Sequence, residues 1–158
     1  MKLLLDTRLV IGSEQKLNKF EYNNKPTELK ETVAHTLQYP MMALNAKEVR
    51  ELKKFLQFCK KEEFEVLEFK TTTRALTIKG EKIGFNKELT QECEIKFDLR
   101  EEMKKETCKY STEYLHKILG SFKLREIKTF KWGYKTDGIL KLEINGELIL
   151  LAPRYERD

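Results

Sequence analysis

The clearest alternation of hydrophobic and polar positions runs from Asn45 to Lys61 and has the period of an α-helix. Asn45 is placed to cap the first turn, and Glu48 is the matching acid of a capping box. One arc of the helical wheel is apolar and consists of Val49, Leu52, Phe55, Leu56 and Cys59. The opposite arc is cationic and carries Lys47, Arg50, Lys53, Lys54, Lys60 and Lys61. The helix alone leaves two interpretations of the cationic arc open, a solvated surface or a face for an anionic partner.

A second helix is predicted over Ser111–Phe122, capped by Ser111 or Thr112. Its apolar stripe is formed by Tyr114, Leu115, Ile118, Leu119 and Phe122. Four strands are predicted between the helices, over Phe64–Phe69, Ala75–Lys79, Glu81–Thr90 and Cys93–Leu99. Three more follow the second helix, over Ile127–Tyr134, Ile139–Ile144 and Leu148–Leu151, with hairpin turns at Asp137-Gly138 and Asn145-Gly146. The short connections require a mostly antiparallel arrangement.

The N-terminal part has a different character. Leu3–Gly12 and Lys16–Tyr22 have the pattern of a β-hairpin, and a polar stretch containing Pro26 follows them. The predicted organisation is a hairpin over residues 1–24, a connector-like segment over 25–38 and one α+β domain over 39–158. That domain has antiparallel sheets with two short helices on one side.

The amino-acid composition of the chain limits the classes of function that we expect for it. The chain has 158 residues, a net charge of +5 and three cysteines, with 31 basic residues interleaved among 26 acidic ones. The odd cysteine count and the lack of a CxxC pair favour reduced thiols in a cytoplasmic protein. The sequence contains no apolar run of membrane-spanning length, metal-ligand cluster, nucleophile elbow or phosphate-binding glycine loop. We therefore expect no enzymatic activity, no catalytic residues and no metal or other cofactor.

The C-terminal third carries the most specific pattern. A helix bearing Tyr114-Leu115 precedes the strand Leu140–Ile144, and the chain ends on Leu151-Ala152-Pro153-Arg154. In this order the segments resemble the C-terminal domain of archaeal and eukaryotic sliding clamps, the proliferating-cell nuclear antigen (PCNA) family, over about three quarters of the chain. The resemblance implies a DNA-clamp fold whose helices line the inside of a ring, and residues 1–24 would be the remnant of a first clamp domain.

The resemblance also implies sequence-independent binding of duplex DNA in the service of replication or repair. The residues implied are Lys47, Arg50, Lys53, Lys54, Lys60 and Lys117. Glu113 and Gly120 depart from the family pattern, because relatives tend to place basic residues there. His116 is expected to be an ordinary surface histidine.

A partner-peptide pocket is the second implied site. In the family it binds the PIP motif of polymerases, nucleases and ligases, and clamp loaders act on the same ring. Its residues here would be Leu29, Met41, Leu151, Ala152, Pro153 and Tyr155. The alternative is that Leu151 and the methionines simply belong to the core.

Assembly is the third implied property, since family protomers contain two such domains and close into rings. The expected subunit-interface edge is the strand Glu81–Thr90, with Glu81, Ile83, Phe85, Lys87 and Leu89. Two hypotheses follow: a minimal clamp that self-associates into a ring, or a truncated paralogue that regulates a complete clamp or competes for its partners. Either would be a nucleoid-associated protein of prokaryotic, archaeal, viral or plasmid origin.

Overall fold

The fold is taken from a computed structural model that describes residues 2–5, 8–11, 40–83 and 89–154. Its helices are α1 (Ala46–Lys61) and α2 (Thr112–Gly120), followed by a single 3₁₀ turn at Leu124–Glu126. The strands before α2 are β1 (Lys2–Leu5), β2 (Arg8–Ile11), β3 (Met42–Ala43), β4 (Val66–Thr71), β5 (Ala75–Ile83), β6 (Leu89–Asp98) and β7 (Glu106–Ser111). Those after it are β8 (Phe130–Gly133), β9 (Leu140–Ile144) and β10 (Glu147–Leu151).

The strands form two sheets, with the orders β2-β1-β10-β9-β8-β3 and β6-β5-β4-β7. The order contains an internal repeat, because β3, α1 and β4–β6 are matched by β7, α2 and β8–β10. Each leading strand crosses over: β3 pairs antiparallel with β8 of the other half, and β7 pairs antiparallel with β4. The two halves are therefore interlocked and build one α+β domain, as the sequence predicted.

One core lies between the sheets and the helices. The two helices pack against each other, and the predicted apolar arc of α1 is turned inward, with Val49, Leu52, Leu56 and Cys59 buried and Phe55 packed at the margin. In α2, Leu115, Ile118 and Leu119 are buried, while Tyr114 and Phe122 lie at the edge of the core. Both helix predictions are confirmed, because a 3.6-residue period places the predicted apolar residues of each segment on one face. Phe58 of α1 lies outside that face and is 48% exposed.

Buried tyrosines join the sheets. The hydroxyl groups of Tyr134, which follows β8, and Thr71 of β4 lie 2.6 Å apart, and the Tyr134 hydroxyl also donates to the Glu106 carbonyl. The Tyr110 hydroxyl on β7 donates to the Gly138 carbonyl at 2.7 Å. These bonds satisfy polar groups that would otherwise be buried without partners, and they fix the relative position of the sheets.

The strand boundaries between the helices differ from the prediction. Four strands exist there, but the proposed edge strand Glu81–Thr90 is wrong: Glu81 and Ile83 continue β5, which has partners on both sides, and Leu89 already belongs to β6. Among the described strands, the edges of this sheet are β6 and β7. β7 was not predicted, because four of the six residues in its ETCKYS sequence are polar and it follows a charged segment.

The N-terminal strand prediction is also wrong in detail. Lys2–Leu5 and Arg8–Ile11 pair antiparallel with each other, where the sequence predicted one continuous strand over Leu3–Gly12. The polar pair Asp6-Thr7 separates them in the sequence and has the length of a two-residue hairpin connection. β1 then adds to β10 in parallel. The predicted partner strand Lys16–Tyr22 and the segment 25–38 lie outside the described residues.

Candidate functional site

The sequence predicted one extensive charged surface in this domain, the cationic face of α1. We use this name for Lys47, Arg50, Lys53, Lys54, Lys60 and Lys61, which share an arc of about 140° at about 100° per residue. Lys53 is half-buried and the other five are exposed. The helix begins where expected: the Asn45 side chain accepts from the Glu48 amide at 2.8 Å, and Glu48 accepts from the Asn45 amide at 3.0 Å. Two cations in the last turn complement the helix dipole.

The cationic face borders α2. The Lys53 ammonium group donates to the Phe122 carbonyl at 2.6 Å, which ties the middle of α1 to the end of α2. His116 of α2 lies close enough to Lys60 and Lys53 that their charges, together with partial burial, lower its pKa from the ordinary value. Burial is the larger cause. Lys53 and Lys60 therefore bring positive charge to the side of α1 that borders α2.

Lys117 has a different setting from the other predicted DNA-binding residues. It is exposed on α2 and forms an ion pair with Glu113 at 3.3 Å, one turn earlier on the helix. Such an exposed pair contributes little to stability and is screened by salt. Glu113 nevertheless reduces the positive charge that α2 presents, as its departure from the family pattern implies.

Two cations beyond α2 extend the cationic face: Lys123, which the resemblance left with Lys117 as a basic residue of the second helix, and Arg125, which was not predicted. Lys123 and Arg125 are exposed and share a cleft of about 570 Å³ with Arg50. The cleft lies between the first half of α1 and the 3₁₀ turn, and its floor is partly apolar because Val49 and Ile127 also line it. The segment after α2 has no periodic pattern of hydrophobic and polar residues. The only signal in its sequence was that two cations, Lys123 and Arg125, lie two residues apart.

The residues predicted for a partner-peptide pocket do not form one group in the structure. Leu151 is completely buried in β10, Pro153 is buried and Ala152 is partly exposed. Met41 precedes β3, which is separated from β10 by β8 and β9, so about 14 Å of sheet lies between them. Leu29 and Tyr155 lie outside the described residues.

The residues predicted for the subunit-interface edge do not lie along one strand but at the end of β5 and the start of β6, where Ile83 pairs with Leu89. Glu81 is buried on the outer side of β5, where its carboxylate lies 3.3 Å from the Lys109 ammonium group. Ile83 ends β5 and Leu89 begins β6, while Phe85 and Lys87 lie outside the described residues. Glu81 and Ile83 therefore do not belong to an edge strand, whereas Leu89 belongs to β6, one of the two described edge strands of this sheet.

Other kinds of site find no support in the part of the chain that the structure describes. Among these residues no group of three histidine, cysteine, aspartate or glutamate side chains is placed to hold a metal ion. No helix of this part is both long and apolar enough to cross a membrane.

Comparison with known proteins shows which solved structures share the fold of this domain. Neither a known protein-family profile nor a curated protein sequence matches the chain. Solved structures do match: a PCNA2–PCNA3 complex from Sulfolobus tokodaii has a TM-score of 0.59 at 15% identity and covers 94% of this chain and 55% of its own. A. fulgidus PCNA bound to the C-terminal region of FEN-1 has a TM-score of 0.53 at 18% identity and covers 77% and 49%.

Bacterial clamps match as well. The DnaN sliding clamp (DNA polymerase III subunit beta) from Pseudomonas aeruginosa has a TM-score of 0.57 at 10% identity and covers 94% of this chain and 36% of its own. The chain therefore has the fold of a sliding-clamp domain, and the resemblance seen in its sequence is confirmed at that level. It spans about half the length of the PCNA chains and about a third of the bacterial clamp.

Proposed function

We propose that this chain is a non-enzymatic, clamp-type protein that holds duplex DNA through the cationic face of α1. The observation that carries the proposal is the placement of this face: six cations lie on one side of one helix, next to α2, in a domain with the sliding-clamp fold. Lys123 and Arg125 lengthen the positive surface.

The chemistry of the face suits the DNA backbone better than the bases. Lysine ammonium groups on long flexible stems attract phosphates without a fixed register, and such contacts carry no sequence information. They also exchange readily with salt ions, as sliding along a duplex requires. The positions of Lys60 and Lys53 near His116 support this assignment, because burial and then these two charges lower its pKa, so the positive charge of the face extends towards α2.

A salt titration of DNA binding tests the proposal. We expect the double variant Arg50→Gln, Lys54→Gln to bind a fluorescent duplex more weakly and to lower the slope of log affinity against log salt by about two, since each lost phosphate contact removes about 0.9. The control is Lys70→Gln, Lys131→Gln, which removes the same charge from exposed positions on the outer sides of the sheets. Their neighbours Phe69, Thr71, Phe130 and Trp132 are buried on the inner side.

The two double variants have equal net charge, so any difference between them comes from position. The control should keep the wild-type slope, and both variants should keep the wild-type circular dichroism. Equal slopes for the two variants, or no measurable duplex binding by the wild-type chain, would contradict the proposal.

Assembly is part of the same proposal, because the chain contains one clamp domain and spans about half of a PCNA chain. We propose that the edge of β6 pairs with another clamp-type chain. Among the described strands, β6 is the longest of those with a partner on one side only, a group that also contains β2, β3 and β7, whereas β10 is already paired with β1. The second chain is a further copy in the minimal-clamp hypothesis and a complete clamp in the regulator hypothesis.

Binding of partner peptides from replication proteins is proposed for the carboxyl-terminal tail. A. fulgidus PCNA binds the C-terminal region of FEN-1, and this chain has the same fold. Complete burial of Leu151 favours a structural role for that residue, so the proposed contacts centre on the partly exposed Ala152 and the segment after it.

A further inference from the structure

Two of the three cysteines meet where the end of α1 lies over the sheet that contains β5 and β6. Cys59 belongs to the last turns of α1 and is completely buried, while Cys93 is half-buried on β6. Their sulfur atoms lie 3.7 Å apart, in direct contact, although 34 positions separate them in the sequence.

Gly80 provides the space in which the two thiols meet. It is the partner of Cys93 in the β5–β6 register. A Cβ atom at this position would lie 2.7 Å from the Cys93 sulfur and 3.0 Å from the Cys59 sulfur, closer than non-bonded carbon and sulfur atoms approach. Because Gly80 has no side chain, Cys59 of α1 and Cys93 of β6 can contact each other above β5.

We propose that Cys59 and Cys93 form a redox-active pair, which a low-molecular-weight disulfide such as glutathione disulfide converts into an intramolecular disulfide between α1 and β6. The Cys93 thiolate attacks a sulfur of glutathione disulfide and forms a mixed disulfide, releasing the first glutathione. Cys59 then loses its proton to solvent and attacks the Cys93 sulfur, and the second glutathione leaves as a thiolate that takes up a proton. Two protein thiols are oxidised and one glutathione disulfide is reduced to two thiols.

The order of the two steps follows from the surroundings of each sulfur. Cys93 is the more exposed of the pair and is open to a small disulfide. Burial, followed by the neighbouring Cys93, raises the pKa of the Cys59 thiol, which makes Cys59 a poor first nucleophile. Cys108 is buried elsewhere, and its thiol contacts the Gly138 and Lys109 carbonyls, so it serves as an internal reference.

The disulfide would close the chain segment that holds β4 and β5. Restricting the unfolded chain in this way raises Tm by about 10 °C for a loop and a domain of this size. The bond would also fasten the last turns of the cationic helix to the edge strand. This inference stands independently of DNA binding.

The full-length chain, purified reduced, tests the proposal in a glutathione redox buffer. After the remaining thiols are blocked with an alkylating reagent under denaturing conditions, we expect one alkyl group, on Cys108, and an intact mass that is otherwise lower by two hydrogens than that of the reduced protein. We also expect a Cys59–Cys93 cross-linked peptide and, in the protein that was not alkylated, a Tm about 10 °C above that of the reduced form. The half-exposed Cys93→Ser variant should fold, lose the cross-link and show no Tm shift. Cys108→Ala should retain both.

Three results would overturn the inference: a stable glutathione adduct on Cys93 with Cys59 still free for alkylation after unfolding, a Cys93–Cys93 dimer between chains, or equal Tm values for the oxidised and reduced forms.

Discussion

Asn145 shows how one side chain can organise several segments. With a φ of 53° it occupies the left-handed region beside Gly146, at a φ of 80°, and together they make the two-residue turn between β9 and β10. Its carboxamide oxygen accepts from the Lys128 and Thr129 amides, and its nitrogen donates to the Glu126 carbonyl. The Asn-Gly pair predicted the turn, but these bonds to a segment sixteen or more residues earlier depend on the tertiary fold.

The setting of His116 gives a prediction at the residue scale. Since Lys60 lowers the pKa of this imidazole, Lys60→Gln should raise it towards the ordinary value of 6.5. Saturating duplex DNA should shift the pKa in the same direction if phosphates neutralise Lys60 and Lys53. NMR titration of the imidazole resonances measures both shifts, and His35, the second histidine, provides a comparison in the same spectrum.

The sign of the linkage to stability follows from the same shift. The folded protein binds the His116 proton less tightly than the unfolded chain does, so stability is complete above the unfolded pKa of about 6.5 and decreases as pH falls below it. Lys60→Gln should weaken this decrease. An unchanged pKa in Lys60→Gln would show that burial alone sets the titration of His116.

At the scale of elements, α1 is the helix whose start is best defined. Its capping box satisfies amides at the first turn, and Glu48 also accepts from the Arg100 guanidinium at 2.8 Å, which fastens the end of β6 to the helix. Both contacts of Glu48 fix the first turn of α1. Lys47 and Arg50 of the cationic face lie at this end of the helix, so the same contacts help to position them.

Removing the cap should destabilise the protein measurably. We expect Asn45→Ala to lower the free energy of unfolding by about 1 kcal/mol, because the Glu48 amide loses its acceptor. Asn45→Ser retains an oxygen that accepts this bond and should stay within a few tenths of a kcal/mol of the wild type. Urea denaturation followed by circular dichroism measures both variants. A loss as large for Ser as for Ala would refute the capping role.

The strands show why element boundaries were harder to predict than the helices. β5 and β6 run on through Glu81–Ile83 and Gln91–Glu92, where the side chains are mostly charged or polar and the alternation of burial breaks down. Pairing with neighbouring strands holds these residues in place, since backbone hydrogen bonds do not require apolar side chains. A local pattern therefore found the centres of β4, β5 and β6, misjudged their ends and missed β7.

At the scale of the whole molecule, the two ends of the sheet system differ. The N-terminal hairpin adds β1 to β10 in parallel and makes β2 an edge of that sheet, whereas β6 is the longest edge strand among the described residues. A ten-residue edge strand readily accepts a further strand. Head-to-tail contacts between such edges close into rings when the rotation permits it.

Native mass spectrometry of the chain, alone and mixed with a complete archaeal PCNA, tests this prediction. We expect one discrete assembly of several copies if the chain is a minimal clamp, because edge-to-edge pairing closes at a defined number. A regulator would instead remain a monomer or dimer alone and increase the mass of the complete clamp. A monomer that leaves the mass of the clamp unchanged would contradict both hypotheses.

The amino-acid sequence by itself determined the two helices, their caps, the direction of their apolar faces and the α+β class, because periodicity and capping act within a few residues along the chain. It also placed six cations on one arc of α1 and pointed to the clamp fold through its C-terminal segments. The tertiary structure decided which strands form the edges of the sheets, that Lys123 and Arg125 join Arg50, that Met41 lies far from Leu151, and that Cys59 meets Cys93 over Gly80. These are contacts between residues distant in sequence, and only the pairing of strands and the packing of helices on sheets brings them together.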